Sequence, residues 1–218
     1  SCSEARLPDS PQINPELTLH YERPAQAWEE TLPLGNGRMG MMPYGLVESE
    51  RIILNEISMW SGSEADYANP DAAESLPEIQ ELLKQGRNAE AQAVMYERFV
   101  PKKPEGGGTY GSYEVLGQLV IDFNYADADS VSSYTRGLDL AEATSWTRFK
   151  KGGTGYMREY YVSRPDDVMV IGLSADKKES ISFTTHLDRA GRCILEQTED
   201  GLLKMHGILD SGVEGKDG

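Results

Sequence analysis

Residues 35–40 read GNGRMG and fit the G-x-G-x-x-G spacing with which dinucleotide-binding proteins hold a pyrophosphate. That chemistry needs a buried strand before the first glycine, a helix starting within the glycines, and an acidic residue about 20 positions further on. Glu56, after the apolar run RIIL, meets the last requirement. The helix fails. Pro43 falls within its first turns, where the ring would clash with the carbonyl of Met39, and Gly45 weakens the turn that follows. Upstream, EETLPLG contains Pro33 and lacks the β-branched run of a parallel core strand. These residues exclude a nucleotide site. They read instead as a glycine-rich entry into a hairpin of RMGMMPYG and ERIILNE, joined by the polar LVES.

A second constellation is LNEISMWSG, residues 54–62, where Asn55, Glu56 and Trp60 gather two polar groups and a large aromatic as a strand runs into a loop. That composition suits the gripping of a sugar or of a neighbouring domain. The alternative is structural: Trp60 packs beneath the edge of a sandwich while Asn55 and Glu56 cap local turns. Trp28 and Trp146 read as core residues. His20, His186 and His206 are scattered through predicted strands without ligand spacing, so no metal site and no cofactor are expected. There is no G-x-S-x-G elbow, and GGGTYGS lacks the Lys-Ser/Thr of a phosphate loop. Acidic pairs abound, but glycosidic hydrolysis by inversion needs two carboxyls about 6.5–9.5 Å apart, a geometry that spacing in sequence does not reveal.

Charge narrows the partners. With 36 acidic against 21 basic residues the 218-residue chain carries a formal charge of −15, which repels phosphate backbones and anionic lipid and makes nucleic acid an unexpected partner. Neutral sugars and cations stay compatible with that charge, and solubility alone also accounts for it. Cys2 and Cys193 are too few for a disulfide framework. The opening SCS resembles the cleavage point of a bacterial lipoprotein, which makes Cys2 a candidate for lipidation; an incidental cysteine in a tail is the alternative. No stretch approaches the roughly 20 apolar residues of a transmembrane segment.

The elements that must position these residues are mostly strands. Residues 1–15 read as a polar, proline-rich leader and ELTLHYERPA as a first strand. Between residues 75 and 100 the period becomes helical. Ser75 and Glu78 form a capping box with Pro77 in the first turn, Leu76, Ile79, Leu82 and Leu83 make an apolar stripe, and Gly86 closes the helix. A second helix is capped by Asn88 and presents Ala91, Val94, Met95 and Phe99. VPKKPEGGGTYGS follows as a flexible loop. From Tyr113 the period is two: VLGQLVIDF, SYTRGLDL, ATSWTRFKK, GYMREYYVS, DVMVIGLSA and SISFTTHLD are strands, and CILEQTEDGLLKMHGIL is a hairpin about Asp200-Gly201. The expected fold is mainly β, an antiparallel sandwich with a two-helix insertion at about 75–100. The Gly-rich SGVEGKDG after a strand suggests that the 16–218 domain is incomplete at its C-terminus.

The run AWEETLPLGNGRMGMMPYGLVESERIILNEISMWSG, followed by NPDAAESLPEIQELLKQGRNAEAQ, resembles the N-terminal β domain of glycoside hydrolase family 95, and YEVLGQLVIDF, YTRGLDLAEA and YMREYYVSRPDDVMVIGLSAD agree in order. The resemblance covers nearly all of the chain after the leader. It implies a galactose-mutarotase-like β super-sandwich belonging to an inverting α-L-fucosidase, or to a relative acting on α-L-galactosides, and a Bacteroides-like bacterial protein that is periplasmic or anchored to the outer membrane. It further implies that the general acid and base lie in a downstream (α/α)6 catalytic barrel, so no catalytic residue carries over to this chain. Two positions depart from the family pattern: Pro43 within MMPYG, which must sit at an edge or bulge, and Ile57 where an acidic residue usually follows Asn-Glu.

The expected function is that of a non-catalytic domain which buttresses the barrel and lends it a rim. Asn36, Arg38, Asn55, Glu56 and Trp60 are the candidate substrate-rim or barrel-contact residues, and a fucosylated glycan is the expected ligand. The alternative is a stand-alone carbohydrate-binding module, suggested by aromatic residues beside polar loops.

Overall fold

Antiparallel strands supply most of the regular structure. The computed structural model describes residues 7, 14–63, 66–102, 111–125 and 130–211. The chain divides into two compact units, Ser1–Met59 with Glu114–Gly207, and Trp60–Tyr113 with Ile208–Gly218.

The first unit holds all the strands. They are β1 (Thr18–Tyr21), β2 (Leu34–Gly35), β3 (Met39–Pro43), β4 (Ser49–Glu56), β5 (Gly117–Phe123) and β6 (Ser132–Asp139). There follow β7 (Thr144–Lys151), β8 (Thr154–Ser163), β9 (Val168–Ala175), β10 (Phe183–Asp188), β11 (Ile194–Gln197) and β12 (Leu203–His206). One sheet runs β1-β6-β7-β8-β9 and a second β10-β5-β4-β3-β2, while β11 and β12 form a separate hairpin. Every pairing among the described residues is antiparallel; six join neighbours in the chain through short connections, as hairpins do, while β1–β6, β4–β5 and β5–β10 pair across long stretches of sequence. Sequence patterning anticipated these strands except the two-residue β2, and the fold is mainly β.

Leu32, Leu34, Met41, Ile52, Ile121, Leu138 and Tyr160 make the main core between the two sheets. Burying each such side chain contributes about 1.5–3 kcal/mol. A second cluster of Val47, Phe149 and Tyr156 is lined by Tyr125 and Tyr134. Pro43 is accommodated as an edge residue. The Tyr44 N–H bonds the Arg51 carbonyl, so the Pro43 nitrogen faces away from β4, on the side where the two-residue β2 reaches only Met41 and Gly40.

Within this core lies a charged pair that patterning did not reveal. Glu50 on β4 and Arg158 on β8 are both buried, with Nη1 of Arg158 2.8 Å from Oε2 of Glu50. The Tyr160 hydroxyl donates to the same oxygen, and the N–H groups of Tyr44, Gly45 and Arg51 donate to Oε1. Arg158 also donates to the Leu46 and Val47 carbonyls and to the Tyr125 hydroxyl, and its guanidinium lies 3.9 Å from the centre of the Phe123 ring. Burial pushes the Glu50 carboxyl up from its ordinary range against the pull of Arg158. All five neighbours donate to it, so the ionised form is the one that fits at neutral pH. Gly45 has φ +74°, and a Cβ there would stand 2.5 Å from the Tyr134 hydroxyl. Only glycine delivers that N–H to Glu50.

The second unit carries α1 (Ala72–Lys84) and α2 (Asn88–Val94), followed by a π-helical turn over Met95–Phe99. Ile79, Leu82 and Ala91 are buried against one another with Val94 beside them. Gly86, at φ +73°, closes α1 as expected: its N–H bonds Leu83 and that of Arg87 bonds Leu82, the Schellman pattern. The N-termini differ from expectation. α1 starts at Ala72, organised by Asn69, whose carbonyl receives the Ala72 N–H and whose amide donates to the Arg98 and Val100 carbonyls. Ser75 is therefore inside the helix, donating back to the Ala72 carbonyl, and forms no capping box. The buried stripe turns accordingly to Ser75, Ile79 and Leu82, leaving Leu76 and Leu83 exposed. Asn88 is the first residue of α2, not its cap, because Arg87 ends one helix with its N–H and starts the next with its carbonyl. The π turn carries Met95 and Phe99 off the packed face, and both are exposed.

Trp146 is buried as expected, but Trp28 is 57% exposed on a single 3-10 turn, Trp28–Glu30, that leaves its ring outside both clusters. Among the described residues no helix is long and apolar enough to cross a membrane.

Candidate functional site

Asn36, Gly37 and Arg38 form the three-residue loop between β2 and β3. Asn36 organises it: its N–H bonds the Met39 carbonyl, and its Oδ1 accepts the N–H groups of Arg38 and Met39 at 2.9 and 2.8 Å. Gly37 bridges the two at φ +95°, with open space where a Cβ would stand, so the tip is closed by the conformation that glycine adopts freely. Met39–Pro43 continues as strand, where a pyrophosphate site would require a helix.

The same Asn36 reaches across to the other sheet. Its amide nitrogen donates to the Ser163 carbonyl at 3.0 Å and to Oδ1 of Asp167 at 2.9 Å. Asp167 lies in the turn between β8 and β9 at φ +54°, a left-handed backbone that aspartate tolerates better than most residues. Its other oxygen accepts Nη1 of Arg38 at 2.5 Å. Arg38 also donates through Nε to Oε1 of Glu56 at 3.2 Å, and Oε2 of Glu56 accepts the N–H of Ser58 at 2.8 Å and its hydroxyl. These bonds, Ser58 foremost and Arg38 after it, hold the Glu56 carboxyl below its ordinary range. The result is an exposed guanidinium fixed between two carboxylates. Its Nη2 makes no hydrogen bond among the described residues, and 64% of the side chain is open to solvent.

Three of the five candidate residues thus converge: Asn36, Arg38 and Glu56. The residue that joins them, Asp167, was missed in the sequence, where RPDD reads as an ordinary turn 129 positions from Arg38. Asn55 does not join them. It alternates to the opposite face of β4 across from Gly40, and its Oδ1 is buried without a hydrogen-bond partner among the described residues. Trp60 belongs to the second unit. It is 55% exposed, pairs with Tyr113 in an antiparallel bridge, and sets its ring 5.5 Å from the Tyr113 ring at 59°. Cys2 lies outside the described residues.

A cluster of hydrogen-bond donors and acceptors at the end of a β-sandwich suits carbohydrate chemistry without making it unique. Comparison with known proteins decides the family. The model of the glycosyl hydrolase family 65 N-terminal domain matches residues 19–217. The chain belongs to this glycosyl hydrolase N-terminal domain family. All three convergent residues, and every strand but the first residue of β1, fall inside the matched span.

Relatives of this glycosyl hydrolase domain point the same way. The chain is 32% identical over 188 residues to a protein named "Alpha-L-fucosidase 2" from Arabidopsis thaliana, an alignment covering 85% of the chain and 22% of the relative. It is 34% identical over 151 residues to "Probable alpha-fucosidase A" from Aspergillus niger, covering 66% and 18%. It is 30% identical over 162 residues to the protein of that name from Aspergillus oryzae, covering 69% and 21%. The chain spans about a fifth of the length of these relatives.

Proposed function

We propose that this chain is the N-terminal β domain of a family 95-type enzyme removing terminal α-L-fucosyl or α-L-galactosyl residues, and that it contributes no catalytic group. The observation that carries this reading is the family match over 19–217 together with relatives named as fucosidases, of which the chain spans about a fifth. A larger protein leaves room for a catalytic (α/α)6 barrel downstream. The sandwich supports that barrel, and the Asn36–Arg38–Glu56 tip stands at the rim where the fucosylated substrate enters. The test is hydrolysis of an aryl α-L-fucoside by the full-length gene product and by this chain at equal concentration. Turnover by the full-length protein alone supports the reading; turnover by the 218-residue chain sinks it.

A second reading, a carbohydrate-binding module, draws support from the exposed Trp60–Tyr113 ring pair, since pyranose C–H faces stack on such aromatics. It requires saturable calorimetric binding of a fucosylated glycan that is lost on Trp60→Ala. A flat titration with the folded chain rejects it.

A further inference from the structure

We propose that Asp167 is a positioning residue which, through Arg38, makes the β2–β3 tip selective for uncharged sugars next to the scissile fucosyl group. This rests on the fucosidase reading above and adds to it the class of sugar accepted at the rim.

The argument begins with donors and acceptors. Two of the three guanidinium nitrogens of Arg38 are consumed by Glu56 and Asp167, which leaves the Nη2 edge fixed in direction and open to solvent. A guanidinium held in this way presents N–H groups at defined angles with less side-chain entropy left to lose. The Asp167 carboxylate beside it accepts one hydrogen bond at each oxygen and so retains acceptor capacity, since a carboxylate offers about four acceptor sites. Donors and acceptors side by side match vicinal hydroxyls, each of which both gives and takes a hydrogen bond.

Charge then decides which sugars. Arg38, Glu56 and Asp167 together set one guanidinium against two carboxylates, a formal sum of one negative charge. In the same turn Arg164 and Asp166 offset each other, with Asp166 held by the Ser163 hydroxyl. A bare arginine at a glycan-binding rim would attract sulfate or uronate. Here Asp167 and Glu56 cancel that attraction, and an anionic sugar meets net repulsion. Asp167 holds the Nη1 side of the guanidinium while its other oxygen fixes Asn36, so one side chain sets both the direction and the charge of the tip.

The experiment uses the full-length protein and two α-L-fucosides that differ only in the sugar next to fucose, galactose or its sulfate ester. Wild type is expected to favour the neutral substrate in kcat/KM. Asp167→Asn should narrow that preference by roughly threefold, the scale of an exposed charge pair, with a rise in KM for the neutral substrate and a smaller change in kcat. Arg38→Gln makes the cluster more negative and should widen the preference by a similar factor while also raising KM. These opposite directions distinguish charge selection from general damage, and Arg38→Gln carries the test if Asp167→Asn does not fold. Turnover with the same neutral-to-sulfated ratio in wild type and both variants overturns the inference and leaves the fucosidase reading standing. Failure of the wild-type full-length protein to cleave any α-L-fucoside overturns both.

Discussion

Two arginine–carboxylate links tie the sheets of this sandwich together, and both use a glutamate of β4. Glu50 meets Arg158 in the interior; six residues on, Glu56 meets Arg38, which passes the connection to Asp167. Alternation places both glutamates on one face of β4, with Ile52 and Leu54 between them. At the buried end both oxygens of the carboxylate and both terminal nitrogens of the arginine are occupied, and little is left for a ligand. At the exposed end one edge of the guanidinium is free. The difference teaches that the same chemical pair specifies structure where it is saturated and becomes available for recognition where one donor edge is left open.

Substitutions can break this comparison. Arg158→Met leaves the Glu50 carboxylate buried without its cation and should cost about 3–5 kcal/mol in urea unfolding of the isolated chain. The double variant Glu50→Leu with Arg158→Met should recover much of that loss, because removing both charges avoids the uncompensated one. Gly45→Ala puts a methyl against the Tyr134 hydroxyl at a positive φ and disturbs one donor to Glu50; about 1–3 kcal/mol is expected by the same assay. Arg38→Met, at the exposed end, should leave the unfolding midpoint within error of wild type while lowering kcat/KM of the full-length protein on a fucosylated disaccharide. Equal destabilisation by Arg158→Met and Arg38→Met would erase the distinction between the two ends.

The smallest effect concerns pH. Glu30 is held down to about 2 by Arg23 and by the N–H of Gln26. A depressed folded pKa gives stability that is present above the unfolded carboxylate value of about 4.3 and is lost as pH falls through the folded value. Glu30→Gln should therefore be slightly less stable than wild type at pH 7, by an amount that shrinks below about pH 4 and in high salt. A difference that grows with acid would reverse the sign of this account.

The strands were legible from alternation, as in SISFTTHLD, and from short runs rich in β-branched and aromatic residues bounded by turns, as in GYMREYYVS. Gly86 and Pro43 were legible because their backbones permit few alternatives. Glu50 and Arg158 were not, since alternation assigns a side to each residue and says nothing of a charge turned inward. The start of α1 was displaced because Asn69 draws on carbonyls of Arg98 and Val100, about 30 positions away. Glu56 stands out by type at a strand end and Asn36 and Arg38 only through the family resemblance, whereas Asp167 joins them only through tertiary contact. Trp28 shows the converse limit: an aromatic residue in sequence does not announce whether a sheet will cover it.

The Glu50–Arg158 pair spans 108 residues of chain. Neither partner can be satisfied until β4 and β8 have both formed and their sheets have met, so the contact belongs to the late, high-contact-order part of folding. A docking of the sheets shifted by two residues would strand a carboxylate against a hydrocarbon wall and a guanidinium without its carbonyls. Such a pair is expected to reject misaligned intermediates during assembly more than it deepens the native minimum. Its signature would be a double-apolar variant that stays stable yet refolds with additional slow phases in stopped-flow fluorescence.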